Sequence, residues 1–130
     1  MATILIVDDV STNRTFLKGL LRPQGHRLVE ASDGLEGLVV TRSEHPDLVI
    51  TDIEMPVMDG YDFVRALRLD PMTKRLPVVF YTAAFDERDA MVLGLSAEVS
   101  DVLMKSASPE NVLEVVERAL SRSSAASSGR

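Results

Sequence analysis

The stretch "ILIVDDV", residues 4–10, carries four apolar residues straight into two adjacent carboxylates, Asp8 and Asp9. An unbroken run of Ile, Leu and Val is the pattern of a strand covered on both faces, as in a parallel sheet packed between helices. Two carboxylates about 4 Å apart repel by about 4 kcal/mol at an effective dielectric of about 20. Their place at the end of a buried strand therefore asks for a compensating cation. An Asp at a strand end or helix cap is ordinary by itself, so the rest of the chain must decide.

Outward from this strand the sequence alternates. Over "STNRTFLKGLL" Ser11 or Thr12 is the expected N-cap of a helix whose Phe16, Leu17, Leu20 and Leu21 share a face, and Pro23 and Gly25 end it. "HRLVEA" reads as a second strand. "SDGLEGLVVTRS" reads as a second helix, weakened by Gly34 and Gly37, with Leu35, Leu38 and Val39 inward. After Pro46, "DLVIT" is a third buried strand running into Asp52, and "EMPVMDG" is a turn-rich loop. "YDFVRALRLD" places Phe63, Val64 and Leu67 on one side of a third helix. "VVFYT" is a fourth strand ending at Thr82, and Phe85 to about Leu95 a fourth helix. "SDVLMK" is a fifth strand ending at Lys105. Ser108 caps a fifth helix with Pro109 at its first position, and Val112, Leu113, Val116 and Leu120 form its stripe. The Ser/Ala-rich residues 121–130 are expected to be a disordered tail or the start of a linker, leaving residues 1–120 as one domain.

Five strands alternating with five helices predict an α/β, doubly wound (βα)5 fold: a parallel five-stranded sheet with helices on both faces. In such sheets the chemistry lies at the carboxyl ends of the strands. Asp8, Asp9, Asp52, Thr82 and Lys105 all fall there. Clustered carboxylates favour a hard divalent cation, and Mg2+ takes oxygen ligands. Neither His26 nor His45 is near this edge, so the pattern is not that of a transition-metal site. A carboxylate beside a cation, a lysine and a hydroxyl suits an aspartyl phosphate, with the positive groups and the hydroxyl holding phosphoryl oxygens.

Composition narrows the classes. The 130 residues suit a single core, and a net charge of −6 argues against a nucleic-acid-binding surface. There is no cysteine, hence no disulfide or thiol chemistry. No apolar run approaches the roughly 20 residues that span a bilayer, and the start "MATILIVDD" lacks the basic region of a signal peptide. The expected location is cytoplasmic. Met55, Met58, Met91 and Met104 read as core filling or loop anchors, and Glu110, Glu114 and Glu117 as a solvated face.

"LIVDDV", "PDLVITDIEMPVMDGYDFV", "LPVVFYTA" and "DVLMK", in this order and spacing, resemble the receiver domain of bacterial two-component response regulators, over residues 3 to about 120. The resemblance implies a flavodoxin-like strand order of 2-1-3-4-5. It implies that Asp52 is the phosphoacceptor, Thr82 the switch hydroxyl and Lys105 the conserved-type lysine of the site. It further implies Mg2+, with Mn2+ able to substitute, held by Asp9, Asp52 and the backbone carbonyl of Glu54, and by Asp8 largely through water. The implied partners are a sensor histidine kinase or phosphotransfer protein, and an output domain or protein on the face of the fourth helix, fifth strand and fifth helix. No nucleic acid or membrane is implied for this domain.

This sequence departs from the family pattern twice. Ser106 replaces the usual Pro after the lysine, where a non-proline cis bond would cost about 2.5–4 kcal/mol. Val102 replaces the usual aromatic switch residue, so a read-out without a swinging ring is expected. The domain is expected to be regulatory rather than an enzyme, and a piece of a hybrid sensor kinase or multidomain regulator. Two rival readings are a receiver-like interaction module that is never phosphorylated and a Mg2+-dependent phosphohydrolase of the haloacid dehalogenase type. The latter needs an Asp-x-Asp, whereas Asp8 and Asp9 are adjacent.

Overall fold

Each apolar run pairs in parallel with its neighbours: β1 (Thr3–Val7), β2 (Arg27–Ala31), β3 (Leu48–Thr51), β4 (Val78–Thr82) and β5 (Asp101–Met104). The computed structural model describes residues 2–83 and 99–128. The expected fourth helix, from Phe85 to about Leu95 with Met91, lies outside them. The order across the sheet is β2-β1-β3-β4-β5. Leu5 lies between Val29 and Val49, which places β1 inside the sheet, and the order reverses between β1 and β3. Their carboxyl ends therefore meet at the switch point.

The helices are α1 (Ser11–Leu21), α2 (Gly34–Glu44), α3 (Gly60–Leu69) and the C-terminal α4 (Pro109–Ser128), with a short 3-10 turn at Arg22–Gln24. Alternate strand residues serve two cores. Ile4, Ile6, Ile50, Tyr81 and Leu103 pack with Leu17 and Leu21 of α1 and Val112 and Val116 of α4. Leu5, Val7, Val49 and Phe80 pack with Phe63, Val64 and Leu67 of α3. Because both faces are covered, β1, β3 and β4 contain no charged residue.

Side-chain start signals hold for three helices, of which only the Ser108 cap was expected. Asp33 Oδ1 accepts from Glu36 N at 2.8 Å, Asp59 Oδ1 from Asp62 N at 2.8 Å, and Ser108 Oγ from Asn111 N at 3.2 Å. They do not hold for α1, whose N-cap is Val10 with no side-chain bond, rather than Ser11 or Thr12. Phe16 of that helix is also exposed, while Leu17 and Leu21 are buried.

The inward face of α2 differs from the expected one. Leu35 and Val39 are 51% and 59% exposed, and the buried residues are Gly34, Gly37 and Thr41. The cause is close approach. A Cβ on Gly37 would lie 3.0 Å from Phe63 Cζ, and one on Gly34 would lie 2.8 Å from the Met58 carbonyl oxygen. The two glycines that lower helix propensity let α2 approach this closely, beside Leu38, which packs against the core as expected, and Val40.

Three further differences concern the C-terminal part. Lys105 follows β5 instead of ending it. Met104, expected to fill the core or anchor a loop, is exposed at the end of β5. The backbone of α4 continues through Ser128, into the segment expected to be disordered: Ser, Ala and Arg all tolerate a helix, and the next Gly is Gly129. Among the described residues no helix is long and apolar enough to cross a membrane.

Candidate functional site

The parallel ladders run one residue past their strands, and this builds the site. Asp8 N donates to the Ala31 carbonyl at 3.1 Å, Asp52 N to Val7 at 2.9 Å, and Lys105 N to Thr82 at 2.8 Å. Three segments distant in sequence thereby reach one sheet edge. Carboxylate oxygens of Asp8, Asp9 and Asp52 lie within 4.8 Å of one another. Asp8 and Asp52 are buried and Asp9 is exposed.

Lys105 Nζ donates to Asp52 Oδ2 at 2.8 Å and pairs with Asp8 Oδ2 at 3.1 Å. Burial alone would push the Lys105 ammonium down, but its bonds to Asp52 and Asp8 outweigh this and hold it above its ordinary value. Asp8 Oδ1 also accepts from Val10 N at 2.9 Å, and the Asn13 amide lies 3.3 Å from Asp8 Oδ2. Asp52 Oδ1 accepts from Ile53 N at 2.6 Å. Three carboxylates against one ammonium leave two formal negative charges in the cluster, all on hard oxygen donors. That donor set fits Mg2+ and not a soft metal.

The remaining expected residues border this cluster. Thr82 ends β4 with its side chain buried, and Glu54 is exposed on the loop two residues past Asp52. Val102 pairs with Phe80 and is partly buried against the α3-side core. The Lys105–Ser106 bond is trans, as no described peptide bond is cis. Tyr81, whose ring centre is 6.0 Å from Lys105 Nζ, has its phenol pushed up chiefly by burial.

The loop after Asp52 is closed tightly. Gly60 N donates to the Ile53 carbonyl at 2.7 Å. A Cβ on Gly60 would overlap the Asp52 carbonyl oxygen and lie 2.8 Å from Ile53 Cα. Within the loop Met58 N donates to the Pro56 carbonyl at 2.7 Å, a γ-turn that puts Val57 at φ 69°.

A family model for the response regulator receiver domain matches residues 4–117. This chain is a response regulator receiver domain. The receiver is 36% identical to the protein PilH of Pseudomonas aeruginosa, over 92% of this chain and 98% of that one. It is also 36% identical to the sensor histidine kinase CheAY of Helicobacter pylori, over 90% of this chain but only 15% of that protein's length. Among solved structures, the receiver domain of a P. aeruginosa sensor histidine kinase, with a magnesium ion coordinated in its active-site cleft, superposes with a TM-score of 0.82. That match has 26% identity and covers 92% of this chain and 98% of that one. The fold and family expected from the sequence are thus met.

Sequence reading passed over Asn13, Arg14 and Glu30, which contact Asp8 or support it. The available signal was a lone Glu inside the apolar strand "RLVEA", facing two cations spaced four apart in α1.

Proposed function

We propose that Asp52 accepts a phosphoryl group from a phosphohistidine on a sensor histidine kinase or phosphotransfer protein. The observation that carries this reading is one lysine ammonium shared between two buried carboxylates at the carboxyl edge of a parallel sheet. In the reaction a bond forms between an Asp52 carboxylate oxygen and phosphorus, the P–N bond breaks, and its electron pair leaves with the imidazole. Asp9, Asp52 and the Glu54 carbonyl would hold Mg2+, with Asp8 acting through water. Once bound, the cation offsets the negative charge that gathers on the phosphoryl oxygens. Lys105 would transfer its hydrogen bond from Asp52 Oδ2 to a phosphoryl oxygen, and the Thr82 hydroxyl would donate a second.

The output reading follows from the same site. Lys105 and Thr82 are joined through their backbones, so a change at the phosphoryl group would pull the segment between them. The responding face would be that of β5 and α4, with the expected fourth helix, which lies outside the described residues. With Val102 in the aromatic position, this response would shift backbone rather than swing a ring. Residues 1–120 form the receiver unit, and its place in a hybrid kinase or multidomain regulator belongs to the same proposal.

The test is incubation with acetyl phosphate and Mg2+, read by intact mass. Uptake of one acid-labile phosphoryl group, lost in Asp52→Asn, is expected. No uptake by the wild type would favour a receiver-like interaction module instead. Multiple turnover of a small phosphomonoester would favour a phosphohydrolase.

A further inference from the structure

The Asp8–Asp9 turn is held from behind by a guanidinium. Arg14 Nη1 donates to the Asp8 backbone carbonyl at 2.6 Å, and Arg14 Nε donates to Glu30 Oε1 at 2.9 Å. The other Glu30 oxygen accepts from Lys18 Nζ at 2.9 Å. Arg14 and Lys18 belong to α1, Glu30 to β2, and Asp8 follows β1. Three elements therefore meet at one side chain that is largely shielded from water.

This matters because of Asp9. Among the described residues its carboxylate accepts no hydrogen bond, and its side chain is exposed. Its direction is set by the backbone of the turn alone. The Asp8 carbonyl is part of the peptide that leads into Asp9. The Arg guanidinium has donors in fixed directions, so anchoring on Glu30 fixes the donor that reaches this carbonyl.

We propose that Arg14 is a positioning residue for the cation site: it fixes the Asp8–Asp9 backbone, and so aims the Asp9 carboxylate into the cluster, while Glu30 fixes Arg14. The proposal rests on reading the cluster as a Mg2+ site. Arg14 is a cation beside a cation site, so deleting its charge would by Coulomb's law alone strengthen Mg2+ binding. Losing the clamp acts the other way, since removing a group that orients a metal ligand weakens binding by about 10–100-fold.

The experiment is a Mg2+ titration of the wild type, Arg14→Met and Arg14→Lys by calorimetry, with thermal unfolding in chelator alongside. Arg14→Met is expected to weaken binding about tenfold or more, against the Coulombic direction. Arg14→Lys is expected to weaken it as well, because lysine keeps the charge but not the two-ended hold. If Arg14→Met does not unfold cooperatively, Arg14→Lys decides the matter alone. Binding by Arg14→Lys as tight as the wild type overturns the proposal. A wild type that binds no Mg2+ is a different result, and overturns the reading of the site beneath it.

Discussion

Lys105 and Asp52 stand 53 residues apart in the chain and 2.8 Å apart in space. The same ammonium reaches Asp8 at 3.1 Å, so it compensates the repulsion between the Asp8 and Asp52 carboxylates. Lys105→Ala should fold but lose about 1–3 kcal/mol without Mg2+, because two buried carboxylates are left facing each other. Mg2+ should restore most of that loss and bind more tightly than to the wild type. Denaturant unfolding with Mg2+ or chelator checks this. Equal Mg2+ stabilisation of both proteins would show that lysine and cation do not share these carboxylates. The Lys105 value is raised above 10.5 in the folded state. Its contribution is therefore complete below pH 10.5 and is lost as pH rises through the folded value.

Asp52→Asn keeps the shape of the side chain and removes its charge. It should abolish covalent phosphorylation and weaken Mg2+ binding by about tenfold or more, as one of three clustered carboxylates is lost. Intact mass and calorimetry on one preparation measure both effects. A phosphoryl group still carried by Asp52→Asn would reassign the nucleophile.

Glu30 gives a pH test of the clamp. The Lys18 hydrogen bond foremost, and that of Arg14, hold its carboxyl below 4.5 against the upward push of burial. A lowered folded value means stability that is present above pH 4.5 and lost as pH falls through the folded value. Glu30→Gln should therefore cost about 0.2–1 kcal/mol at pH 7, discounted for its partial exposure. The gap to wild type should close at a pH below 4.5. A gap that persists at pH 2 would mean that packing, not charge, accounts for Glu30.

What could be read from the sequence was whatever rests on strand pattern and on strand-end chemistry. Four uninterrupted apolar residues at 4–7, and similar runs at 48–50 and 78–81, are specific to a covered parallel sheet. The residues after them then had to share an edge. Side-chain direction in α2 was not legible, because small residues can pack a helix as closely as large ones and Gly34 and Gly37 carry no hydropathy of their own. The clamp was missed for a related reason. Arg14, Lys18 and Glu30 look like ordinary surface charges until α1 is laid across β2.

The glycines can be ranked by what surrounds them. At Gly60 the obstacle is the backbone of Asp52 and Ile53, which cannot move without moving the Asp52 carboxylate. At Gly37 it is the tip of the Phe63 ring, which can shift. Gly60→Ala should cost about 1–3 kcal/mol as overpacking and reduce phosphorylation of the fraction that remains folded. Gly37→Ala should cost less, because Ala gains about 1 kcal/mol of helix propensity over Gly. Unfolding free energies give the order, and the reverse order would show that α2 cannot adjust.

Val57 is the position where a substitution should stabilise the protein. A β-branched residue at φ 69° is strained, and its side chain is 76% exposed, so it has little packing to lose. A γ-turn with positive φ is rare and strained for an L-residue, whereas Gly enters positive φ without steric cost. Val57→Gly should therefore raise stability by about 1 kcal/mol, net of the greater freedom of Gly in the unfolded chain. The γ-turn bond from Met58 N to Pro56 uses only backbone and would be kept. So would the bond from Gly34 N to the Met58 carbonyl, which ties α2 to this loop. Mg2+ affinity should not change, since the loop's hold on Asp52 runs through Gly60. Unchanged stability would mean that Val57 is not strained. A gain in stability together with slower phosphorylation by acetyl phosphate would instead show that the loop stores strain for the reaction at Asp52.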